Sequence, residues 1–561
     1  MTKQYKIIFI AIIFIAFILR IYGINWDQGH NLHPDERAII MYTLGLSFPH
    51  SLLEFLSVNS PLNPHFFAYG NFPLYLLKAS STMASWFDVS FSYYERIALV
   101  GRFLSALADI GTLFILFLIS RRLFSPLVGL FSIAIYALSV FPIQTSHFYA
   151  VDTLLTFFMS LTLYYILLLT KKMNRKTAIF AGISFGLALA TKASAVVLVV
   201  PFTIWIGIYL YQHYGISKKK KSSVSLKNFI TVCTCIFIST LFIFAFTQPY
   251  AIIDYQAFIS QTIAQSHMTK DVFTFPYTMQ YYGKTPYIYE LKNIFLWGLG
   301  PVITMLSFFG IFIFFKISKK SQKECYPLLI IGGFIISYFL IVGDFAVGWM
   351  RYMLPLYPFF ALFAGLTLVS ILKRIYSKKR LYYFVSCLLA IGICIWPMSF
   401  IQIYGSAHSR VIATNWILST IPQGSTIATE HWDDSLPLTS GGEYNYVEIP
   451  MYEPDTKEKW NTIQARLSQA DYLILSSNRL YTPLQKLTDC NKLPEGRCYT
   501  KSAEFYKNLF SGGTNFKKIA DFTDYPTIPF LNIPINDQSA DESFTVYDHP
   551  KVMIFKKTRN I

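Results

Sequence analysis

The chain has 561 residues, of which 53% are hydrophobic, 17% are aromatic and only 14% are charged. Soluble globular domains carry roughly 25% charged residues, so this composition excludes an ordinary soluble protein and indicates a polytopic membrane protein. The formal net charge of +17 can suggest a protein that binds nucleic acid. We expect no nucleic acid partner, because the basic residues cluster between apolar segments, where they set the orientation of membrane helices.

The first apolar segment, residues 7–24, is long enough to cross a bilayer and lacks a convincing signal-peptidase site. We therefore expect a retained first helix. Lys3 and Lys6 precede this segment, which predicts a cytoplasmic amino terminus.

Apolar segments of suitable length predict about eleven membrane-crossing helices. They cover residues 7–24, 97–120, 125–146, 150–170, 177–214 as two helices, 228–248, 293–316, 326–343, 353–372 and 381–399. The stretch 177–214 is too long for one crossing, and Thr191-Lys192 divides it. With this count every dense basic cluster, including residues 218–221, lies on the cytoplasmic side.

The same count predicts two large external loops, residues 25–95 and 249–292, and an external carboxyl-terminal part. Short apolar pieces in the first loop are typical of helices that lie along the membrane surface. Tyrosines in the second loop can anchor the chain at the lipid headgroups or stack against sugars. We place the transmembrane domain at residues 1–400.

Residues 401–561 are more polar and alternate between helix-like and strand-like segments, which predicts an extracytoplasmic α/β domain. Helices are expected at 410–421 and 457–470, and strands at 425–428, 472–475 and 552–555. Cys490 and Cys498 can form a disulfide if this domain faces an oxidising compartment. No motif within the domain carries obvious chemistry.

An acidic motif, His33-Pro34-Asp35-Glu36-Arg37, follows the first helix. Proline favours the start of a helix, and acids in the first turn suit the helix dipole, so a structural explanation is available. The alternative is catalysis. We favour catalysis because the predicted topology places the motif on the same side as several other charged residues.

Charged side chains near membrane depth cost free energy unless they pair or function, so those on the external side are candidates. Besides the acidic motif, they are Arg96, Arg102, Asp152, Lys192 and Arg351. Carboxylates combined with cations are what a reaction with a phosphate leaving group requires: a base for the nucleophile and fixed positive charge for the departing oxygens.

Several of these residues have structural alternatives. Arg102 can extend its charge to the interface, Asp152 can cap a helix, and Arg351 can pair with Asp344. Lys192 lies inside a long apolar stretch, which favours a function. The cysteines and histidines form no ligand cluster that would predict a metal site.

The chain resembles the GT-C membrane glycosyltransferases, and within them the family 39 group of protein O-mannosyltransferases and aminoarabinose transferases. The segments that carry the resemblance are His33-Pro34-Asp35-Glu36, Gly101-Arg102-Phe103-Leu104-Ser105-Ala106, Val151-Asp152-Thr153-Leu154, Leu189-Ala190-Thr191-Lys192 and Arg351-Tyr352-Met353-Leu354-Pro355. In place of the Glu-Lys-Pro-Pro stretch of the aminoarabinose transferases, this chain has Gly70-Asn71-Phe72-Pro73-Leu74. The lysine of that stretch is therefore missing, unless Lys78 replaces it.

The resemblance implies transfer of a sugar from a polyprenyl-phosphate carrier to an extracytoplasmic protein, lipid or glycan, usually with inversion, and without metal or cofactor. Asp35 would be the base, and Glu36 or Asp152 would orient the acceptor or tune the base. Lys192, Arg351 and Arg102 would hold the lipid phosphate.

The main alternative is a transporter or flippase for a lipid-linked or other polar substrate, because charges inside a membrane also line transport paths. Transporters usually contain helix sets related by symmetry, and the sequence shows no matched pair of broken helices. A non-catalytic receptor or assembly protein would explain the carboxyl-terminal domain but would leave Asp35, Glu36 and Lys192 without a role.

Overall fold

The structure is a computed structural model that describes residues 2–214, 225–318, 322–439 and 442–558. The predicted basic cluster at 218–221 lies outside these residues. Among the residues described, 8 helices are long and apolar enough to cross a membrane, or 9 with a bent pair counted as one span. The polytopic helical fold is thus confirmed, while the exact number of crossings stays a prediction.

The long helices of the membrane domain follow the predicted segments closely. They are Lys3–Ile21, Tyr94–Leu123, the bent pair Pro126–Ala137 and Val140–Ser146, Asp152–Leu169, Arg175–Thr191, Val199–Tyr214, Leu226–Thr247, Pro301–Ser318, Gln322–Gly343, Tyr357–Ile375 and Lys379–Phe400. The predicted break at Lys192 is confirmed, because this residue is extended, with φ −159° and ψ 135°. A 3-10 helix, Ala193–Leu198, then leads into the next long helix.

Both large loops contain short helices. In the first loop they are Pro34–Leu44, Leu52–Phe55, Phe72–Ser85 and the 3-10 helix Val89–Ser92; in the second they are Tyr250–Ile253, Tyr255–Lys270, the 3-10 helix Pro276–Tyr281 and Ile288–Asn293. Phe48, Leu53 and Phe87 are almost fully exposed in the first loop. Such exposed apolar side chains agree with the predicted helices along the membrane surface.

The carboxyl-terminal part contains the predicted α/β architecture. Its strands are β1 (Thr426–Glu430), β2 (Asn445–Ile449), β3 (Tyr472–Leu475), β4 (Phe516–Phe522), β5 (Thr527–Ile528), β6 (Ile533–Pro534) and β7 (Val552–Lys557). Its helices are Ser409–Thr420, Lys457–Gln469, Tyr481–Leu484, Thr500–Ser511 and Glu542–Thr545. Five strands form a mixed sheet in the order β2-β1-β3-β7-β4, in which β7 runs antiparallel to both neighbours. Strands β5 and β6 form a separate hairpin.

The disulfide that the sequence left open is present between Cys490 and Cys498, whose Cα atoms are 5.1 Å apart. The nearby Arg497 guanidinium donates a hydrogen bond to the carbonyl of Phe273 in the second loop, at 3.2 Å. The turn that this disulfide closes therefore contacts the second loop.

Residues 537–549 of the sheet domain pack against the helices of the membrane domain, and we call them the docking segment. Phe544 is fully buried against the rings of Trp297, Trp396 and Phe400. The Asp548 carboxylate accepts a hydrogen bond of 2.7 Å from the Tyr404 hydroxyl. The hydrophobic core of the membrane domain thus includes residues that lie far away in the sequence.

Three charged side chains interact with one another within the docking segment. Both ring nitrogens of His549 contact carboxylates, Asp548 at 2.5 Å and Asp537 at 2.8 Å, and all three side chains are fully buried. Burial opposes a charged imidazole, but the two carboxylates outweigh it and raise the pKa of His549 to about 10. The histidine is therefore positively charged and connects two carboxylates of the docking segment.

Candidate active site

The acidic motif opens the helix Pro34–Leu44, and His33 caps it. The His33 Nδ1 atom accepts a hydrogen bond from the backbone N–H of Glu36 at 3.3 Å, and Pro34 occupies the first turn. Burial and the surrounding arginines lower the pKa of His33 well below its usual range, so this ring is neutral. Asp35 and Glu36 follow each other in the first turn but point to different surroundings.

Glu36 belongs to a buried triad with Arg102 and Asp27. The Arg102 guanidinium lies 2.6 Å from a carboxylate oxygen of each acid, and all three side chains have no exposed surface. Glu36 also accepts the backbone N–H of Tyr149 at 2.9 Å. Burial raises the pKa of Glu36 although Arg102 acts in the opposite direction, whereas Arg102 outweighs burial at Asp27 and lowers its pKa.

Among the described residues, the buried triad makes no ion pair with the other predicted site residues. The sequence predicts that Arg102 holds the lipid phosphate and that Glu36 orients the acceptor or tunes the base. In the structure the two side chains form hydrogen bonds with each other and with backbone groups, and Arg102 also binds Asp27. Sequence analysis did not single out Asp27, since nothing in the local pattern distinguishes it. The only available signal was a second carboxylate close to the end of the first helix.

The other predicted residues, Asp35, Asp152, Lys192 and Arg351, meet in one charge cluster. The Arg351 guanidinium contacts the Asp35 carboxylate, and its Nε atom lies 3.9 Å from Asp152 Oδ2. The Lys192 ammonium donates to Asp152 Oδ1 at 2.7 Å. Asp35 is the most exposed member, with 23% of its side-chain surface accessible, whereas Asp152 is 3% exposed.

Each member of the charge cluster lies where a regular element begins or ends. Asp152 starts the helix Asp152–Leu169, Lys192 follows the end of Arg175–Thr191, and Arg351 lies in the 3-10 helix Met350–Leu356. The alternative partner of Arg351, Asp344, is exposed and makes no ion pair with it among the described residues. Sequence analysis had left this pairing open.

The cations of the charge cluster keep donor capacity for a ligand. Within the described residues, Arg351 Nε is buried and makes no hydrogen bond. Lys192 uses one donor on Asp152, and its ammonium lies 4.4 Å from the ring centroid of Tyr352 and 5.9 Å from that of Tyr69. Aromatic faces stabilise a cation without consuming its donors, so the arrangement suits an anionic oxygen.

The first loop contacts the Lys192 break directly through Gly70. The Gly70 backbone N–H donates to the Thr191 carbonyl at 3.1 Å, and a Cβ atom at this glycine would lie 1.7 Å from the carbonyl oxygen of Ala190. Only a residue without a side chain permits this approach. The contact places Tyr69 beside Lys192, which sequence analysis did not foresee.

We expect Gly70→Ala to push the first loop away from Lys192. Overpacking of this kind costs about 1–3 kcal/mol of stability, and the displaced loop should also weaken ligand binding at the charge cluster. Thermal unfolding of the purified protein in detergent measures the first effect. Gly207→Ala is the matched control, because nothing lies within 4 Å of its added Cβ atom; equal behaviour of the two variants would contradict the contact.

A small cavity adjoins the charge cluster. Its lining residues are His33, Phe141, Thr145, Phe148, Ala150, Asp152, Arg351, Ser543 and Tyr547. Ser543 and Tyr547 belong to the docking segment, and the Tyr547 ring lies 4.2 Å from the His33 ring, centroid to centroid. The sheet domain therefore closes one side of the cavity, although no sequence motif in that domain indicated a role here.

Ion pairs connect the acidic helix to the sheet domain. Arg37 contacts Asp434 at 2.9 Å, and Asp434 also contacts Arg410 at 2.9 Å. Arg479 contacts Glu542 of the docking segment at 2.8 Å. Burial raises the pKa of Glu542 to about 7, with Arg479 acting in the opposite direction. The helix that carries Asp35 is thus tied to the sheet domain through Asp434.

Comparisons with known proteins find one matching family and several solved structures of similar fold. Residues 83–246 match the family described as dolichyl-phosphate-mannose-protein mannosyltransferase. No curated protein sequence matches the chain. Among solved structures, the oligosaccharyltransferase of Archaeoglobus fulgidus tethered with an acceptor peptide is 11% identical, with a TM-score of 0.51 over 99% of this chain and 89% of that chain.

Two further solved structures are similar. AglB from Archaeoglobus fulgidus, in complex with an inhibitory peptide and a dolichol-phosphate, is 12% identical, with a TM-score of 0.50 over 99% of this chain and 88% of that chain. ArnT from Cupriavidus metallidurans, bound to undecaprenyl phosphate, is 12% identical, with a TM-score of 0.48 over 99% and 98% of the two chains. The chain therefore shares the fold of the Archaeoglobus fulgidus oligosaccharyltransferase structures, which agrees with the predicted helical membrane fold with a carboxyl-terminal α/β domain.

Proposed function

We propose that this chain is a membrane glycosyltransferase that moves a sugar from a polyprenyl-phosphate carrier to an acceptor on the extracytoplasmic side. The observation that carries the proposal is the meeting of Asp35, Asp152, Lys192 and Arg351 beside one cavity. These residues come from four separate parts of the chain. Carboxylates and cations gathered in this way supply both a base and a site for a phosphate.

Asp35 is the proposed base. It is the most exposed carboxylate of the charge cluster, so an acceptor can approach it more easily than it can approach Asp152. The acceptor oxygen attacks the anomeric carbon while its proton passes to Asp35, and the bond between that carbon and the phosphate oxygen breaks. The electron pair of that bond leaves with the lipid phosphate, so attack from the opposite face inverts the anomeric centre.

Lys192 and Arg351 are the proposed phosphate ligands. Among the described residues, Arg351 Nε makes no hydrogen bond, and Lys192 has donors left beyond its contact with Asp152. Asp152 lies between the two cations and holds them close together, which like charges would otherwise oppose. A bound phosphate would compete with Asp35 for Arg351 and so release the base when the donor is present.

For the buried triad we propose a positioning role in place of substrate contact. Arg102 bridges Asp27, near the end of the first helix, and Glu36, next to the base. Its charge is already neutralised by two carboxylates at 2.6 Å, which leaves little attraction for a lipid phosphate. The triad would instead fix the direction in which Asp35 points toward Arg351 in the charge cluster.

The proposed orientation has a cytoplasmic amino terminus and an extracytoplasmic sheet domain. The disulfide between Cys490 and Cys498 supports it, because such bonds persist in oxidising compartments. The charge cluster and the docking segment share one cavity, so the reaction would take place at the membrane face that carries the sheet domain.

One experiment separates the proposed enzyme from a transporter or flippase. Purified protein in lipid nanodiscs is incubated with polyprenyl-phosphate sugars and with candidate protein, lipid and glycan acceptors, and products are identified by mass spectrometry. A covalent sugar–acceptor product supports the enzyme. Movement of the lipid-linked sugar across proteoliposome membranes without any such product would support the transporter and contradict our proposal.

We expect Lys192→Met to weaken binding of polyprenyl phosphate by roughly 10- to 100-fold. The change removes a hydrogen bond to a charged group, which is worth about 1.5–3 kcal/mol. Competition binding in nanodiscs, with a labelled polyprenyl phosphate, measures the affinity. Lys171→Met is the control, because Lys171 is exposed near the opposite end of the helix that begins at Asp152; equal affinities of the two variants would exclude Lys192 as a phosphate ligand.

A further inference from the structure

The hairpin formed by β5 and β6 exposes an unusual apolar tip. We call residues 526–535 the apolar hairpin. Phe530 is fully exposed, and Leu531 and Ile533 are exposed by 64% and 51%. Phe530 also has a φ of +66°, a conformation that bulky residues rarely adopt and that favours glycine or asparagine. A phenylalanine held there with its whole side chain outside the protein requires an explanation.

The apolar hairpin descends alongside the last membrane helix, Lys379–Phe400. Asp524 accepts a hydrogen bond from Ser406 at 3.0 Å, and the Thr527 carbonyl accepts one from Gln402 at 2.8 Å. Thr527, which is closer to the tip than Asp524, thus pairs with Gln402, which is closer to the membrane-spanning helix than Ser406. Strand β5, which leads into the tip, contacts that helix.

The chemistry of the apolar hairpin suits a lipid environment. Residues 525–536 contain no charged side chain, and Pro526, Pro529 and Pro534 have no backbone N–H to leave unsatisfied. The backbone N–H groups of Asn532 and Ile535 are paired, with the carbonyls of Ile528 and Pro526. Backbone polar groups without partners are costly in lipid, and the prolines and these two hydrogen bonds lower their number in this hairpin.

The neighbouring helix also has exposed apolar side chains. Leu388, Ile391 and Ile395 of Lys379–Phe400 are exposed apolar residues, as expected for a helix in contact with lipid. We infer that the apolar hairpin inserts its tip into the bilayer leaflet next to the sheet domain and anchors that domain to the membrane. The occupant of this surface is lipid acyl chain.

Insertion of the hairpin would also affect the docking segment, which follows it in the chain. The apolar hairpin leads directly into the docking segment, which begins at Asp537 and supplies Ser543 and Tyr547 to the cavity. Membrane insertion at the tip would hold the start of that segment at a fixed depth. The inference rests on geometry and does not depend on the proposed function.

A fluorescent probe at the tip tests the insertion. In a parent protein whose five free cysteines are replaced by serine, Phe530→Cys is labelled with a nitrobenzoxadiazole dye and placed in phosphatidylcholine nanodiscs. The disulfide between Cys490 and Cys498 remains intact in this parent. Ile519→Cys is the matched control, because Ile519 is an exposed apolar residue on β4 of the same domain.

For Phe530→Cys we expect blue-shifted emission, strong quenching by lipids that carry a nitroxide on the acyl chain, and several-fold weaker quenching by aqueous iodide than in the control. Iodide quenching equal to that of the control would overturn the inference. So would protection from iodide without lipid quenching, because it would indicate a protein partner or a second copy at this surface. Labelling Leu531→Cys in the same way must give the same result.

Discussion

Asp35→Asn is expected to lower the rate of sugar transfer by roughly 100- to 10,000-fold, the usual contribution of a general base. Asparagine keeps the size of the side chain but cannot accept the proton of the acceptor hydroxyl. The rate constant is measured with saturating donor and acceptor, using the acceptor that the transfer assay identifies. The variant should fold normally, since the Asp35 side chain is partly exposed.

The affinity for the donor distinguishes loss of a base from general damage to the site. Asp35 contacts Arg351, so Asp35→Asn should leave polyprenyl-phosphate binding unchanged or make it tighter, because Arg351 loses a competing carboxylate. Asp88→Asn is the control in the same loop, where Asp88 forms an exposed ion pair with Arg96. If Asp35→Asn transfers sugar as fast as the Asp88 variant, the base assignment is wrong.

The membrane setting explains how much of the charge cluster was predictable. A charged side chain at the end of an apolar segment is easily recognised, and the basic clusters assign each segment a direction. Asp152, Lys192 and Arg351 were found in this way, and the structure brings them together with Asp35. The α/β character of the carboxyl-terminal domain was likewise visible in the alternation of short polar and apolar segments.

The roles within the acidic pair were not predictable from the sequence. Successive residues of a helix point about 100° apart, so Asp35 and Glu36 face different neighbours although they are adjacent. Asp35 contacts Arg351 at the cavity, whereas Glu36 is buried against Arg102. Which acid takes which direction depends on how the helix Pro34–Leu44 packs, and no local pattern records this.

The contribution of the sheet domain was also not predictable. Tyr547 meets His33, and Gln144 donates to the carbonyl of Phe544 at 2.7 Å, across hundreds of intervening residues. Contacts over such distances in the sequence have no periodicity or motif that marks them. The docking segment is polar at its start and looks like an ordinary surface loop when it is viewed alone.

Arg102→Met is expected to cost about 3–5 kcal/mol of stability, because it leaves Asp27 and Glu36 buried without their cation. Both carboxylates lie 2.6 Å from the guanidinium and have no exposed surface, so water cannot replace it. Unfolding of the purified protein in detergent, followed by tryptophan fluorescence, measures the loss. The expression level should fall as well.

Arg96→Met is the matched control on the same helix, Tyr94–Leu123, since Arg96 pairs with Asp88 in a half-exposed position and should leave unfolding nearly unchanged. A triple variant, Asp27→Asn with Glu36→Gln and Arg102→Met, removes all three charges and should recover part of the lost stability. If Arg102→Met instead unfolds like the control while losing only donor affinity, Arg102 would be a phosphate ligand after all. The triad would then belong to the binding site and not to its support.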